Sequence, residues 1–393
     1  MQEERKLILD LVEKGTISAH EALVLLEALG NEEAKLNATK NNEQSHHFES
    51  QTHSTHSNSE THTSSETHNK KSSSSQAEDF MEDIKKDFTQ IGERFMQFMQ
   101  TTVGKVKSFD FDMPFGEPIE FHHTFTKEEV DFKEITADIA NGKLEIYPSE
   151  DGQTRAECRV KVYRSPSEEE AKKEFLEKFI FVVDQQKLRI ISDLKTTSVN
   201  VVLYVPQKLY DLISVRLFNG AFIGAHIKVD RLKIKTANGK IELKDVQHED
   251  GEVQTANGTI NLKEAKGNKI DAETINGRIY IDGHLKDIEA QSVNGHVVIT
   301  TKNADARKIE GRAVAGTVEI YIPSTVGLQG EIASNLGKMD VALSDVTRIN
   351  EQDHFLQKNI RFTKDVAGST TPPLYVKGEA KTGSILVRYT TAE

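Results

Sequence analysis

The sequence predicts a mainly β protein, a repetitive right-handed β-solenoid-like stack running from about Ala221 to Arg388 with about 19–21 residues per rung. Three observations lead there. Asn-Gly glycines fall at Gly220, Gly239, Gly258, Gly277 and Gly295, spaced 19, 19, 19 and 18 residues, and Gly316 and Gly337 continue at intervals of 21 with the Asn lost. The strings GKIEL, GTINL, GRIYI, GHVVI, GTVEI and GKMDV follow the last six of these glycines, and GKLEI at 142 and GSILV at 383 match them. A hydroxyl at Thr236, Thr255, Thr274 and Ser292 stands three residues before its glycine.

The pattern after each glycine alternates. Positions two and four are apolar in all eight strings: Ile241/Leu243, Ile260/Leu262, Ile279/Ile281, Val297/Ile299, Val318/Ile320, Met339/Val341, Leu144/Ile146 and Ile385/Val387. Positions one and three vary freely, so one face of each strand is buried and the other is surface. Two-residue Asn-Gly loops ordinarily join hairpins, and an antiparallel meander or propeller is the competing architecture. One identical strand per period fits stacked coils better, because a single unit cannot bury its own apolar face. Stacking sets equivalent Thr and Asn side chains about 4.8 Å apart, where they can form hydrogen-bonded ladders. Glycine is expected to supply a positive φ at each corner.

Ahead of the stack, residues 1–30 read as a helical hairpin. Leu7, Ile8, Leu11 and Val12 recur at helical spacing, Gly15 caps the first helix, and Ser18 with Glu21 forms a capping box for the second. Two helices this short need something to dock on. Residues 31–77 are rich in Ser, Thr, Asn, Glu and His, with Phe48 as the one aromatic; such a segment cannot offset its ordering entropy and reads as a disordered linker. His53 and His56 invite a shared metal ion, but nothing in the pattern fixes their geometry, and a polar spacer is the simpler account. No metal or cofactor site is expected.

Residues 78–107 carry an amphipathic helix. Phe80, Ile84, Phe88, Ile91, Phe95 and Phe98 form its stripe, reinforced by Met81, Met96 and Met99. A Phe/Met face suits adaptable contacts, and these six residues are the expected partner-binding set. From Glu78 to Met99 the acids Glu78, Asp79, Glu82, Asp83, Asp87 and Glu93 outnumber Lys85, Lys86 and Arg94, the reverse of a typical lipid-surface helix. The β domain then occupies 108–393. Its first part, 108–220, is less regular and holds a helical insertion near Ser167–Phe179 behind Pro166.

A formal net charge of −12 argues against coating nucleic acid and leaves room for cationic partners. The lone cysteine, Cys158, can close no internal disulfide. No apolar run has the length of a signal peptide or a membrane span, which points to the cytoplasm, including the membrane surface, with the cell surface reached by non-classical export as the alternative. No nucleophile elbow, phosphate loop, zinc helix or dinucleotide fingerprint occurs. Parallel β-helices include polysaccharide-cleaving enzymes, which need carboxylates gathered on one outer face. Glu242 and Glu319 both stand third after a glycine, but Asn261, Tyr280 and Val298 intervene, so a non-enzymatic role is expected. His284 and His296 are placed to approach each other across neighbouring rungs, although exposed, solvated side chains are the simpler account. Asn257-Gly258-Thr259 has the form of a glycosylation sequon, but it reads as a structural turn.

The strand repeat resembles the bacterial family of adhesin-like β-solenoid domains of unknown function. The string KGTISAHEALVLLEAL at Lys14–Leu29 resembles the N-terminal module of the YvlB/LiaX-like proteins of Gram-positive bacteria. Together the two cover most of the chain outside the His/Ser-rich linker. The resemblance implies a cell-envelope stress role, with partners among membrane proteins of the phage-shock-protein C type and cationic antimicrobial peptides. It brings no catalytic residues. Carbohydrate binding or cleavage on a β-helix is the alternative function.

Overall fold

The computed structural model describes residues 118–128, 130–354, 357–367 and 371–390. The predicted hairpin 1–30, linker 31–77 and helix 78–107, with Phe80, Ile84, Phe88, Ile91, Phe95 and Phe98, lie outside them. Among the described residues one α-helix, Glu168–Lys178, accompanies 23 strands.

Each coil is a longer strand, a corner at the glycine and a shorter strand. Lys228–Asn238 and Ile241–Lys244 make one coil; Gln247–Asn257 and the start of Ile260–Asn276 make the next. Neighbouring coils pair in parallel and in register, with Thr236 beside Thr255 and Thr255 beside Thr274. A repeat of near-constant length produces this directly, because each apolar side chain lands on its equivalent one rung away. Of the eight apolar pairs after the glycines, every member is buried except Met339, which is partly buried against the core. The solenoid and its alternation are as the sequence predicts.

The glycines act differently from expectation. Gly142, Gly295 and Gly316 have positive φ, but Gly220, Gly239, Gly258, Gly277 and Gly337 do not. What excludes a side chain is the next coil. A Cβ on Gly239 would lie 2.0 Å from the carbonyl oxygen of Gly220, and one on Gly258 would lie 2.0 Å from that of Gly239. The same clash links Gly277 to Gly258, Gly295 to Gly277 and Gly316 to Gly295. The corner is a column of bare backbone, stacked too closely for any Cβ.

Beside that column the asparagines form the expected amide ladder. Asn219, Asn238, Asn257, Asn276 and Asn294 each donate Nδ2 to Oδ1 of the preceding rung, beginning at Asn141, over 2.8–2.9 Å. The Asn257 side chain is thus engaged in structure, as the turn reading holds. The hydroxyls do not ladder with one another. Thr236, Thr255, Thr274 and Ser292 instead donate to the carbonyls of Gly220, Gly239, Gly258 and Gly277, over 2.9–3.1 Å. Each hydroxyl occupies an acceptor that the tight corner exposes, which a second hydroxyl could not do.

The order of coils departs from chain order at both ends. Gly337 does not follow Gly316: the strands Leu374–Ala380 and Ile385–Tyr389 intervene. They pair with Lys308–Ala315 and Val318–Ile322 on one side and with Leu328–Ser334 and Met339–Ala342 on the other. At the other end, Glu134–Asn141 and Leu144–Pro148 sit between the coil of Lys187–Ser192 and Thr197–Val205 and that of Leu209–Asn219 and Phe222–Ala225. The region 108–220, expected to be irregular, therefore already contains coils from residue 134 onward.

Antiparallel strands and the helix close the ends, where open edges invite unwanted pairing. Ile119–Lys127 pairs with Thr154–Val162, which pairs with Thr197–Val205. The helix opens on Ser167, whose Oγ accepts from the Glu170 N–H, and buries Ala171 and Phe175. Phe175 meets Phe121 and Phe179 at ring-centroid distances of 5.7 and 5.0 Å. At the far end, Thr347–His354 and Gln357–Lys364 form a hairpin laid antiparallel on Leu328–Ser334.

Candidate interaction surface

Because register is fixed, the outward positions form straight columns. The third position after each glycine gives Glu145, Ile223, Glu242, Asn261, Tyr280, Val298, Glu319 and Leu386 on successive coils. Glu242 and Glu319 are thus four coils apart, with Asn261, Tyr280 and Val298 between them, as the sequence spacing requires. Each is engaged locally: Lys240 Nζ lies 2.9 Å from Glu242, and the Tyr321 hydroxyl donates to Glu319 over 2.8 Å. That hydrogen bond, with burial, raises the Tyr321 phenol above its ordinary range. At Glu145 burial pushes the carboxyl up, but Lys143 and Tyr147 outweigh it and leave it below the usual range. The Glu145 contact and burial push the Tyr147 phenol up to about 12.

Midway along this face Tyr280 is exposed beside a hollow of about 430 Å³ lined by Asn261, Lys263, Asp282, Val298 and Thr300, among others. His284 and His296 do not meet. His296 follows the glycine corner and accepts the Thr317 N–H at Nδ1, whereas His284 pairs with Lys266 beyond the other corner. The strand from Leu285 to Asn294 and the corner at Gly295 separate them along the chain, so nearness in sequence does not bring them together.

The longer strands carry a feature that the turn motif does not announce. Glu252, Asp271, Glu289 and Glu310 stack on four consecutive coils in one column. The neighbouring column places Gln254, Glu273, Gln291 and Arg312 beside them, with Gln254, Glu273 and Gln291 buried and Gln254 Nε2 donating to Glu273 over 2.8 Å. Like charges one rung apart repel, and cations answer at the ends: Lys233 and Lys235 on Glu252, Lys308 and Arg312 on Glu310. Burial raises the Glu252 carboxyl, but the bonds from Lys235 and Lys233 outweigh it and hold it below its ordinary value. The signal is present in the sequence as an acid six residues before Gly258, Gly277, Gly295 and Gly316.

A second corner holds non-glycine residues in the left-handed region: His226, Asp245 and Glu264, at φ of 56°, 48° and 55°. His226 Nδ1 lies 2.9 Å from Asp245 Oδ2, and Lys266 Nζ lies 3.2 Å from Asp245 Oδ1. Among the described residues no group of three or more His, Cys, Asp or Glu side chains is placed to hold a metal ion. Cys158 is buried, and burial pushes its thiol up to about 12.

Comparison with known proteins agrees with this architecture. Residues 132–369 match the Toastrack DUF4097 family, and residues 3–34 match a SHOCT-like domain. The uncharacterized protein YvlB of Bacillus subtilis (strain 168) is 36% identical over 393 residues, covering 99% of each chain. An adhesin-like protein of Bacteroides fragilis NCTC 9343 aligns over 70% of this chain and 99% of its own, with 12% identity and a TM-score of 0.38. Another from Parabacteroides merdae ATCC 43184 covers 68% of this chain and 95% of its own, with 13% identity and a TM-score of 0.34. Those structural scores carry no argument by themselves; the family match and the full-length relative do. The chain belongs to the Toastrack DUF4097 family, as a YvlB-like protein built on a β-solenoid.

Proposed function

We propose that this protein is a non-enzymatic binding scaffold of the cell-envelope stress response. The observation that carries the reading is the in-register pairing of successive coils, which holds outward side chains in columns while the residues themselves vary. Such a surface suits recognition of an extended partner. The half-buried acids Glu252, Asp271 and Glu289 of one column favour a cationic one, such as a basic segment of a membrane protein of the phage-shock-protein C type or a cationic peptide. The Phe/Met stripe from Phe80 to Phe98 supplies a second, apolar contact. On this reading the protein works in the cytoplasm at the membrane surface.

The test uses the whole chain. A double variant, Phe88→Glu with Phe95→Glu, is compared with the natural sequence in pull-downs from membranes and in an envelope-stress reporter strain. Loss of a phage-shock-protein C-type partner together with a changed reporter response supports the proposal. An unchanged partner set and an unchanged reporter refute it.

One observation favours a second reading, carbohydrate binding: the exposed Tyr280 ring beside a hollow furnished with Asn261, Lys263, Asp282 and Thr300. An aromatic face with polar groups around it suits a sugar ring. Retention on cell-wall polysaccharide, lost in Tyr280→Ala, would establish it.

A further inference from the structure

We propose that one face of the long strands, from Gln254 to Ala333, is a docking strip for residues 78–107 of the same chain, laid along it as a helix. The strip follows a single register column. Gln254, Glu273, Gln291, Arg312, Glu379 and Ala333 stand on successive coils. Alternation turns them away from the core. Val253 and Thr255, Ala272 and Thr274, and Ala290 and Ser292 flank the first three, and all six face inward at 0% exposure. The column shares the face of the acids, since Gln291 donates to Glu289 and Arg312 pairs with Glu310.

Side chains on an open sheet face meet water, and those at the start of this column do. Two coils before Gln254 the Arg216 side chain is 53% exposed. Gln254, Glu273 and Gln291 are 3, 1 and 6% exposed, and Ala333 is 4% exposed. Side chains that point outward and are still this deeply buried need a cover. The described elements do not lie over them: the helix Glu168–Lys178 packs on Phe121 at the entry end, and the hairpin 347–364 continues the sheet edge beside Leu328–Ser334.

The covered area has the dimensions of one helix. Exposed Asn257, Asn276 and Asn294 bound it toward the glycine corner, and exposed Asp250 and Lys269 bound it on the other side. Between them lie positions such as 252, 254 and 256, a width of about 13 Å, against about 10–12 Å for a helix with its side chains. Steps of about 4.8 Å per coil make the strip about 24 Å long, and a helical stripe from Phe80 to Phe98 is about 27 Å long.

Its chemistry matches as well. Toward the corner the half-buried Ala256, Ile275, Val293 and Val314 offer an apolar row to the Phe/Met stripe. Beside that row, Glu273 is a buried carboxylate, and a buried carboxylate calls for a cation. Asp271, Glu273 and Arg312 are each engaged in a further interaction, and Lys85, Lys86 and Arg94 flank the stripe in sequence. Residues 108–117 reach up to about 33 Å, more than the roughly 19 Å of stacking between the coil of Thr197–Val205 and that of Gln254. The docking does not depend on the partner proposed above. What rests on that reading is the consequence that a partner of the stripe must first displace it from the strip.

The test uses the purified full-length chain and maleimide labelling, with the natural Cys158 buried. Ile275→Cys places a thiol in the strip, and Glu242→Cys places one on the other outer face. Docking predicts labelling of Ile275→Cys about ten-fold slower than that of Glu242→Cys, as for a site reached only by local opening. Adding Phe88→Glu with Phe95→Glu should bring the two rates within about two-fold, with the far-UV circular dichroism of the sheet retained. Phe88→Ala with Phe95→Ala, which adds no charge, should release the site too. Equal rates in the natural background overturn the proposal, as does protection that survives both stripe variants. Protection that falls on dilution assigns the cover to a second copy and overturns docking within one chain. No membrane partner is present in the assay, so its outcome is separate from that of the pull-down.

Discussion

His248 makes the sharpest test of how this core is held. It occupies an inward column between Val229 and Gly267. It is 1% exposed, and neither ring nitrogen has a hydrogen-bond partner. The ring fills space that Gly251 and Gly267 leave: a Cβ on either would lie 3.1 Å from an imidazole atom. Burial lowers its pKa from 6.5 to about 4, and the Asp250 carboxylate opposes that only weakly. In the folded chain the ring stays neutral, whereas the unfolded chain takes up the proton near pH 6.5. Unfolding is therefore favoured as pH falls from about 6.5 toward 4, and the penalty stops growing below the folded value. A shift of this size corresponds to about 3 kcal/mol in full, of which about 2 kcal/mol is lost between pH 7 and pH 5. Working above pH 5 keeps most carboxylates out of the transition. Urea unfolding followed by far-UV circular dichroism at several pH values measures it, since the chain has no tryptophan to report by fluorescence. His248→Leu, an apolar residue of similar size, should remove about 2 kcal/mol of the slope. Parallel profiles for the two chains would refute a buried neutral imidazole.

Three other consequences arise from the packing. Gly258→Ala places a Cβ 2.0 Å from the Gly239 carbonyl and should destabilise by roughly 3 kcal/mol, as overpacking against backbone does; a loss under 1 kcal/mol in denaturant melts would contradict the close column. Asn257→Ala removes its bond to Asn238 and the one it accepts from Asn276, so about 1–2 kcal/mol should be lost, measurable in the same melts. The Cys158 thiol, pushed up to about 12 by burial, should be inert to a disulfide reagent at pH 8 in the native chain and react once urea unfolds it. Stoichiometric labelling of the native chain would count against that burial.

The repeat is legible because each rung writes the same instruction: a close-approach glycine, two apolar positions and an upstream hydroxyl. Its meaning at the corner is only half legible. Asn-Gly implies a backbone conformation when read one turn at a time, whereas the controlling constraint is contact with the coil next door. Stack order is not legible, since GSILV at 383 and GKMDV at 337 are equivalent as motifs. Longer-range pairing decides which is inner, with the hairpin 347–364 occupying the outer side. The early coil at 187–205 carries no Asn-Gly marker, because Asn200 is followed by Val201. Asn200 is not a rung of the ladder: it stands opposite Lys143, whose N–H its side chain accepts at 2.9 Å, and the ladder ends where Asn141 donates Nδ2 to the Lys195 carbonyl at 2.7 Å. The left-handed corner of His226, Asp245 and Glu264 holds no glycine and gives no local signal. The acidic column is written upstream of the glycines, on the longer strand, where the side chains between the acids vary too much to form a motif of their own.

The interleaving near the N-terminus constrains how the molecule is made. Strands 134–148 find one neighbour only when residues 187–205 exist and the other only when 209–225 exist. A chain emerging from the ribosome cannot wind this end rung by rung. Its first strands must wait, with edges unsatisfied, while about eighty more residues are added, at roughly 5–20 residues per second. From Gly239 to Gly316 the order of synthesis and the order of stacking coincide, so that stretch can grow as it is translated. The solenoid thus has a middle that assembles vectorially and an entry end that closes only after a delay of seconds, the interval in which a holding chaperone has most to protect.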